Sequence, residues 1–363
     1  MIEHICSRCV MDTTDPDITF DEFGVCNHCK KYDELNVSAG DFNNLIKVIK
    51  SSKKGNEYDC LIGVSGGVDS SFVAYQAKIA GLSPLAIHLD NGWNTEVGNQ
   101  NVKNIVQKLE LPFEMVTLDW DEFKDLQLSF LKASVPDLEI PTDHALHTVL
   151  HQIADKHNIK YILMGCNTRT ESHVPRSWSQ GYYDWKYINS IHQQFGTIPL
   201  ETYPHLDLVS LQYQAMRHKM VNILNYIDYN KHDAMKTLER EIGWKYYGGK
   251  HYESVYTRFY QGYILPVKFG FDKRKSHFSS LICSGEMTRE RALEELKNPT
   301  YPIELQESDK KEFKEKLSLD EQEFNRIMAL PNKSINDYPS NNNVIISTPY
   351  RYIIGGMQKC GIL

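Results

Sequence analysis

Short apolar runs alternate along the first half of the chain with longer stretches in which apolar residues recur at helical spacing. The short runs have the length and content of buried strands, and the longer stretches predict helices. The predicted strands span residues 58–64, 84–90, 113–119 and 160–165. The predicted helices span residues 41–52, 69–81, 96–110, 121–133, 143–157 and 211–227, and the chain beyond residue 230 is predicted to be rich in helices.

Strands that alternate with helices predict parallel βαβ units, and therefore an α/β fold with a layered parallel sheet. Ligands of such sheets bind beyond the carboxyl ends of the strands. Residues 166–208 are irregular and rich in Pro, Gly, Trp and Tyr, as active-site loops often are. Four residues lie near the carboxyl ends of predicted strands and are expected to converge on one crevice: Gly66, Asp90, Asp119 and Asn167.

Composition and charge narrow the class of protein. The chain is 41% hydrophobic and 24% charged, which is ordinary for a globular protein. No apolar run approaches the roughly 18 residues that a membrane helix needs, and the first residues lack the pattern of a signal peptide. A cytoplasmic protein without membrane contact is therefore expected. The net charge of −7 argues against a surface built to hold nucleic acid.

The cysteines near the start of the chain form two C-x₂-C pairs, and sixteen residues separate the pairs. This spacing predicts a four-thiolate zinc site, and four protein ligands leave no open position, so the zinc would be structural. His4 or His28 could replace a ligand, although the cysteines are favoured. A redox pair and free surface thiols are the competing interpretations. The predicted ligands are Cys6, Cys9, Cys26 and Cys29.

The stretch LIGVSGGVDSS, residues 61–71, places two glycines between a predicted strand and a predicted helix. Gly66 and Gly67 let the backbone turn sharply and approach a ligand closely. The helix that follows presents unpaired N–H groups to a phosphate, and Asp69 could hold a Mg²⁺ ion that bridges phosphates. A capped tight turn without a ligand is the alternative. Hydroxyl donors would come from Ser65, Ser70 and Ser71.

Three further segments carry candidate chemistry. A histidine face on the helix predicted at 143–157 could hold a metal or line a polar pocket. Residues 243–263 are dense in aromatics, which could stack on bases or sugars or pack in the core. Residues 272–282 carry three adjacent cations that could neutralise charge at a phosphate or form a solvated run. The side chains concerned are His144, His147 and His151, with Asp143 before them, and Lys273, Arg274 and Lys275.

The string S-G-G-V-D-S resembles the PP-loop of the ATP pyrophosphatases, a superfamily that includes asparagine synthetase, GMP synthetase and the tRNA thiolases. The resemblance implies that the loop holds the β- and γ-phosphates while ATP is cleaved to AMP and pyrophosphate. It also implies that the ends of the second and later strands enclose the adenosine. The implied nucleotide-binding residues are Ser65, Gly66, Gly67, Val68, Asp69, Ser70, Ser71, His88, Asp90, Gly165 and Asn167.

The resemblance narrows further over almost the whole chain. The cysteine pairs, the PP-loop, and the strings PDLEIPTDHAL, GGKHYESVYTRFYQGYILP and KRKSHFSSLICSGEMTRERALEEL together are similar to the N-acetyl sugar amidotransferases. This family implies ATP, Mg²⁺ and structural Zn²⁺ as cofactors, and a sugar substrate, often nucleotide-linked, from bacterial surface-polysaccharide or nonulosonic-acid biosynthesis. Its implied domains are a zinc knuckle at 1–35, a PP-loop domain at 36–230 and a helix-rich region for substrate or partner at 231–363.

The family reaction converts an acetamido group to an acetamidino group. The amide oxygen would attack the α-phosphorus, and ammonia would then displace AMP from the resulting imidate. The chain lacks a Gly-x-Cys-x-Gly nucleophile elbow, and Ile2 follows Met1. The chain is therefore not expected to hydrolyse glutamine itself, and the family resemblance implies a separate glutaminase and a cyclase-like ammonia-channelling subunit as partners. The resemblance and charge assign catalysis to Asp69, Lys273, Arg274 and Lys275, and sugar binding to Asp143 and His144.

Two alternatives remain from the sequence. A PP-loop tRNA thiolase would use a reactive cysteine, and Cys166 lies at a predicted strand end where one would be needed. The acidic balance and the lack of a basic stripe count against that alternative. A nucleotide-binding regulator without chemistry is the other, although such a protein has little need for a Mg²⁺ ligand at Asp69. Of the remaining cysteines, Cys60 is expected in the core, and Cys283 and Cys360 have no assigned role.

Overall fold

The computed structural model describes residues 4–35, 41–53 and 55–342, so Cys360 lies outside the described residues. Five parallel strands form one sheet in the order β3-β2-β1-β4-β5. The predicted α/β fold class is confirmed, and four of the five strands lie where the sequence predicts them. The strands are β1 (Cys60–Gly63), β2 (Pro84–Asp90), β3 (Phe113–Thr117), β4 (Tyr161–Met164) and β5 (Lys219–Asn222).

Helices connect the strands and make up most of the chain beyond them. Among the described residues, no helix has the length and apolar character needed to cross a bilayer. A π-helical segment, Tyr260–Phe269, follows directly on the eleventh α-helix. The α-helices are α1 (Asn27–Glu34), α2 (Phe42–Ser52), α3 (Val68–Ile79), α4 (Glu96–Lys108), α5 (Trp120–Ala133), α6 (Ile140–Lys156), α7 (Thr168–Glu171), α8 (Trp185–Phe195), α9 (Leu208–Arg217), α10 (Lys231–Ile242), α11 (Val255–Phe259), α12 (Arg274–Cys283), α13 (Arg289–Glu295), α14 (Ile303–Leu317) and α15 (Glu321–Met328).

The chain changes direction across the sheet between β1 and β4. It runs from β1 through β2 to the edge strand β3, then returns to the other side of β1 with β4 and β5. The loops that leave β1 and β4 therefore diverge at adjacent strand ends and open a crevice between them. Ligands of doubly wound sheets bind at such a switch point, which places the glycine loop where a ligand is expected.

Helices cover both faces of the sheet. Successive strand residues point to opposite faces, so neighbouring apolar residues of one strand pack against different helices. Ile62 of β1 packs with α2, α3, α4 and α10 on one face, and Leu61 packs with α6 on the other. A third cluster holds α5, α8, α11, α14 and α15 together around Phe259 and Phe313. The four cysteines of the predicted zinc site join this third cluster.

The prediction of one helix over residues 211–227 is wrong. The helix α9 ends at Arg217, and the chain then enters the fifth strand, β5, beside β4. Met220 and Val221 are buried in the sheet, whereas α9 buries none of its residues. A four-residue strand with only two apolar residues, Met220 and Val221, carries no clear period, so its partner strand decided the structure. The irregular stretch 166–208 also contains the helix α8.

The domain boundaries predicted at residues 35 and 230 stay predictions. The helix α10, which begins the predicted C-terminal region, packs against α3, which follows the glycine loop. The last strand before that boundary, β5, completes the sheet. The C-terminal region therefore shares part of its core with the α/β domain.

Candidate active site

The glycine loop between β1 and α3 is held tightly by its neighbours. Gly66 has a φ of +83°, and a Cβ on it would lie 2.4 Å from the carbonyl oxygen of Gly98. The Gly66 carbonyl oxygen accepts hydrogen bonds from Trp244 Nε1 at 2.9 Å and from Asn101 Nδ2 at 3.3 Å. The loop thus requires glycine here, both for its backbone conformation and for the close approach of α4.

The serines of the loop have different surroundings. Ser71 is fully buried, and its hydroxyl donates to the Gly67 carbonyl at 2.5 Å, so this side chain holds the loop. Ser65 is exposed, and its hydroxyl lies 3.1 Å from that of Ser70. Two hydroxyls therefore remain at the mouth of the loop, and the α3 N-terminus lies beneath them with its positive dipole end.

Two partly buried lysines from the second half of the chain lie near Asp69 and act on its pKa. Burial raises the pKa of Asp69, although the charge of Lys231 opposes the rise. Burial lowers the pKa of Lys231, whereas for Lys250 the charges of Glu171 and Asp69 outweigh burial and raise the pKa. Lys250 Nζ lies 3.0 Å from Glu171 Oε1. Charges in a partly dehydrated site interact with a phosphate chain more strongly than they would in bulk water.

Tyr229 completes this group, because its hydroxyl donates a short hydrogen bond to Asp69 Oδ1. The carboxylates near the loop do not form a preformed metal cage within the described residues. Mg²⁺ is commonly held by one or two carboxylates together with phosphate oxygens, so Asp69 and Glu171 fit a Mg²⁺ ion that arrives with the nucleotide.

The titratable groups around the loop extend to Cys166, just beyond β4. Cys166 keeps accessible surface, yet burial and the charges of Glu171, Asp69 and Asp143 raise its pKa to about 12. The thiol therefore lies between the glycine loop and α6. Gly165 lets the chain before Cys166 pack closely on α3, since a Cβ there would lie 3.1 Å from the backbone nitrogen of Ser70.

An acidic group made of Asp137, Glu139 and Asp143 lies next to Cys166. Burial raises the pKa of Asp137 and of Asp143, and raises that of Glu139 to about 7. The charge of Lys273 acts on all three carboxyls and opposes these shifts. The structure therefore brings Asp143 and Lys273, both predicted site residues, to the same acidic group.

Several predicted nucleotide-binding residues support the crevice through hydrogen bonds within the protein. His88 Nδ1 bonds to the Val64 carbonyl at 2.7 Å, and its Nε2 lies 2.8 Å from Asn94 Nδ2. Asn167 caps α7 by accepting from the Thr170 backbone N–H at 3.0 Å. Asp90 accepts from the Gly92 backbone, and Val68 donates its backbone N–H to the Tyr247 hydroxyl. Their contact with a nucleotide stays a prediction.

The three adjacent cations have different partners. Lys273 acts on the acidic group of three carboxyls, and its Nζ lies 5.9 Å from the ring centre of Tyr260. Arg274 pairs with Asp272 at 2.7 Å and donates to carbonyls after α13, including that of Asn298. Lys275 pairs with Asp12 of the cysteine-rich segment. The catalytic roles of Lys273, Arg274 and Lys275 stay predictions.

The predicted histidine face is engaged in packing. His144 Nδ1 bonds to the Tyr182 carbonyl at 2.7 Å, its Nε2 accepts from the Leu206 N–H, and burial lowers its pKa to about 4. His151 contacts His218 with the two Nδ1 atoms 3.0 Å apart. Among the described residues, the groups able to hold a metal do not include these histidines. Asp119, expected in the crevice, caps α5 through the Glu122 N–H.

The four cysteines meet as predicted. Their Sγ atoms lie within 4.8 Å of one another and all four side chains are fully buried. Backbone N–H groups approach the sulfurs, for example Cys26 N to Cys6 Sγ at 3.2 Å. His28 is instead paired with Asp15 at 2.7 Å. The donor set and the spacing fit a closed tetrahedral zinc site, and four buried thiolates would be costly without a cation. Its role would be structural.

Sequence reasoning missed most of the charged groups around Asp69. Lys231 opens α10 after the cap Asn230, and nothing in the local sequence distinguishes it from a surface lysine. Lys250 follows the Gly-Gly pair 248–249, a turn signal that could have marked a ligand-facing loop. Glu171 and Tyr229 had no signal, since they reach Asp69 only through the fold.

The loop, the switch point and the nearby lysines together are those of a PP-loop type of α/β domain. Residues 59–176 match the family described as queuosine biosynthesis protein QueC. Residues 253–351 match the family described as LPS biosynthesis protein WbpG-like, C-terminal domain. The chain thus combines a QueC-like PP-loop domain with a WbpG-like C-terminal domain. These two matches confirm the family resemblance inferred from the sequence.

Curated relatives match about 30% of the chain. A probable mitochondrial tRNA-specific 2-thiouridylase 1 of Caenorhabditis elegans is 29% identical over 121 residues, covering 29% of this chain and 32% of that protein. The tRNA-specific 2-thiouridylase MnmA 2 of Fusobacterium nucleatum is 29% identical over 118 residues, covering 31% and 34%. The chain therefore spans about a third of the length of the curated relatives it matches.

Solved structures give only distant superpositions. The NMN synthetase of Francisella tularensis has a TM-score of 0.28 at 18% identity, covering 39% of this chain and 56% of that one. The NH3-dependent NAD synthetase of Campylobacter jejuni has a TM-score of 0.29 at 16% identity, covering 58% and 84%. At these values the superpositions say nothing about the activity of this chain.

Proposed function

We propose that this protein is an ATP-dependent, AMP-forming amidotransferase that converts the acetamido group of a sugar, in nucleotide-linked form, to an acetamidino group. One observation carries the proposal: a single cluster of titratable groups draws on both matched segments. The QueC-like segment contributes Asp69, Asp143 and Cys166, and the WbpG-like segment contributes Glu253 and Lys273. An ATP site and a substrate site that share one such cluster suit a ligase.

In this proposal the glycine loop holds the triphosphate together with the partly buried lysines Lys231 and Lys250. The backbone of Gly66 and Gly67 and the hydroxyls of Ser65 and Ser70 would contact the β- and γ-phosphates. Lys231 and Lys250 would neutralise charge that builds up as pyrophosphate leaves, the kind of contribution that single donors make in phosphoryl transfer. A Mg²⁺ ion held by Asp69 and the phosphates would add further positive charge.

The acetamido oxygen of the sugar would attack the α-phosphorus, forming a P–O bond as the bond to pyrophosphate breaks. Ammonia would then add to the imidate carbon, and the C–O bond to AMP would break. The amide oxygen leaves with AMP, so the product is an amidine. Asp143 and Lys273 would bind sugar hydroxyls within the acidic group of carboxyls. The aromatic rings of Tyr182 and Tyr183 would lie beside the sugar.

Ammonia would come from a separate glutaminase through a cyclase-like channelling subunit, and the enzyme would act in the cytoplasm on bacterial surface-polysaccharide or nonulosonic-acid precursors. The WbpG-like match supports the pathway, because the matching family is described as an LPS biosynthesis protein. These partners carry over from the resemblance noted in the sequence.

The test incubates candidate UDP- or CMP-linked acetamido sugars with the protein, ATP, Mg²⁺ and an ammonium salt. Replacement of a carbonyl oxygen by N–H lowers the sugar mass by about one unit, and pyrophosphate should appear in equal amount. Release of ADP and phosphate instead, or no mass change with any acetamido sugar, would contradict the proposal.

The matched variants are Lys250→Met and Lys245→Met. Lys250 is enclosed beside Glu171, whereas Lys245 is exposed on the same connection. Loss of a preorganised charge near the phosphates should reduce kcat by about 10²-fold in Lys250→Met. Lys245→Met should keep the wild-type rate. Equal rates in both variants would remove Lys250 from the proposed site.

A tRNA thiolase is the second candidate, because the curated relatives are thiouridylases and Cys166 is exposed close to Asp69 of the loop. The raised pKa of Cys166 disfavours it, since a nucleophilic cysteine needs a thiolate near neutral pH. Co-purification of tRNA together with complete loss of activity in Cys166→Ala would favour the thiolase instead.

A further inference from the structure

Two metal-ligating side chains lie beside the four-cysteine cluster and were not part of the predicted zinc site. Cys283 Sγ, at the end of α12, lies 3.7 Å from Cys29 Sγ. His173 Nε2, in the chain that follows α7, lies 3.9 Å from Cys29 Sγ and 3.5 Å from Cys283 Sγ. Cys29 therefore belongs to two groups of ligand atoms at once.

The spacing of this second group matches a metal site. Zinc bonds sulfur at about 2.3 Å and histidine nitrogen at about 2.0–2.1 Å, so two ligand atoms of a tetrahedral ion lie roughly 3.5–3.8 Å apart. The three distances around Cys29, Cys283 and His173 fall at or close to this range. The first group has similar spacing, with 4.0 Å between the sulfurs of Cys6 and Cys29.

His173 is held in the orientation that a ligand needs. Its side chain is fully buried, and its Nδ1 lies 2.9 Å from Ser172 Oγ and 3.3 Å from Ser280 Oγ. The Ser280 hydroxyl donates to the Ser276 carbonyl at 3.1 Å, so its oxygen can accept the proton of Nδ1. The lone pair of Nε2 then faces the two thiols. Outer hydrogen bonds of this kind fix the tautomer of metal-binding histidines.

The charge of the cluster favours a second cation. Four thiolates around one Zn²⁺ ion leave a net charge of −2, and buried charge is costly when it is not compensated. Arg8 is one cation whose charge acts on Cys29 and Cys283, and it is already paired with Asp33. A second divalent ion that brings in the Cys283 thiolate would reduce the net charge to −1.

We propose that the protein binds a second thiophilic divalent ion, Zn²⁺ in the cell, through Cys283, His173 and a bridging Cys29 thiolate. The three ligands come from the N-terminal knuckle, the chain after α7 and the end of α12. The ion would therefore join the knuckle to α12 and to the chain that follows α7. Its fourth position is left to water or a small ligand, unlike the closed four-thiolate site.

The experiment measures zinc per chain in the purified full-length protein by inductively coupled plasma mass spectrometry. Two ions are expected in the wild type, and one in Cys283→Ser and in His173→Asn. Cys166→Ser is the matched control, because it removes an accessible thiol away from the cluster and should retain two ions. The ion kept by the first two variants reports that the knuckle is still folded.

Cadmium-113 NMR of the Cd²⁺-loaded protein gives a second readout. Two resonances are expected in the wild type, and Cys283→Ser should lose the one that belongs to the site with a histidine ligand. One ion per wild-type chain, or two ions in both variants, would overturn the proposal. So would loss of both ions from both variants, because Cys283 and His173 would then only support the first site.

Discussion

Gly66 combines a φ of +83° with a space that no Cβ can enter, since the Gly98 carbonyl oxygen would lie 2.4 Å away. Gly270 has a similar φ of +76°, but a Cβ there would meet nothing within 4 Å. The two glycines share the backbone strain that a side chain would cause and differ in the contact it would make. They therefore separate the two effects experimentally.

We predict that Gly270→Ala costs about 1–2 kcal/mol of folding stability through backbone strain alone and leaves activity intact. Gly66→Ala should cost more, and the displaced loop should slow pyrophosphate release by about 10²-fold, as misplacements of roughly 1 Å do. Thermal unfolding and pyrophosphate release check the pair. Equal effects on activity in both variants would mean that the contact with Gly98 does not position the loop.

Cys166 gives a prediction about reactivity. Burial and three nearby carboxylates raise its pKa from 9.0 to about 12, so at pH 7.5 its thiolate fraction should be about a thousandfold lower than that of an ordinary thiol. Alkylation by iodoacetamide, followed by peptide mass spectrometry, should be correspondingly slow and should accelerate as the pH rises. Alkylation at pH 7.5 as fast as that of free glutathione would show an activated thiol and would favour the thiolase alternative.

At the scale of elements, the start of α6 carries two of the three carboxyls on which Lys273 acts, Glu139 and Asp143. Glu139 occupies the N-cap position without a capping hydrogen bond from its side chain. Burial raises its pKa to about 7, although the helix dipole favours a negative charge there. Between pH 4.5 and about 7 the folded chain holds a proton that the unfolded chain has lost. The contribution of Glu139 to stability therefore falls as the pH rises through this window and is constant above it.

We predict that Glu139→Gln weakens this pH dependence, because the amide has no proton to lose. The melting temperature of the wild type should fall relative to that of the variant between pH 5 and pH 8, by a few degrees. Glu304→Gln is the control, since Glu304 is an exposed carboxyl in the first turn of α14. A wild-type curve parallel to that of Glu139→Gln would contradict a buried carboxyl that titrates near neutral pH.

Elements also show where local pattern stops being informative. The helices α3, α4 and α5 lie within a few residues of their predicted limits, because each has several turns of apolar periodicity. The strand β5 has four residues and was predicted as helix, because its neighbours continue a helical spacing that only pairing with β4 interrupts. Short elements depend on partners that lie elsewhere in the chain.

At the scale of the whole molecule, the cysteine-rich knuckle is tied to the C-terminal region. The guanidinium of Arg289, at the start of α13, donates to the carbonyls of Cys6 at 2.9 Å and Cys9 at 3.0 Å. A planar fork can bond both carbonyls at once, whereas a lysine ammonium cannot reproduce that geometry. The knuckle therefore depends on a residue about 280 positions further along the chain.

We predict that Arg289→Lys releases zinc to a chromogenic chelator about tenfold faster than the wild type, since hydrogen bonds to a charged donor contribute roughly 1.5–3 kcal/mol. Arg291→Lys, two residues away and exposed, should release zinc at the wild-type rate. The measurement is the absorbance of the chelator complex over time. Identical rates for the two variants would show that the knuckle holds its metal without the C-terminal region.

The sequence by itself determined the features that depend on neighbouring residues. The α/β alternation, the glycine loop and the C-x₂-C pairs follow from local periodicity, backbone freedom and ligand spacing. The tertiary structure alone decided that Lys231 and Lys250 lie near Asp69, that Arg274 and Lys275 pair with Asp272 and Asp12, and that His173 and Cys283 reach Cys29. Contacts between distant residues depend on how elements pack, and one sequence carries no local signal for such packing.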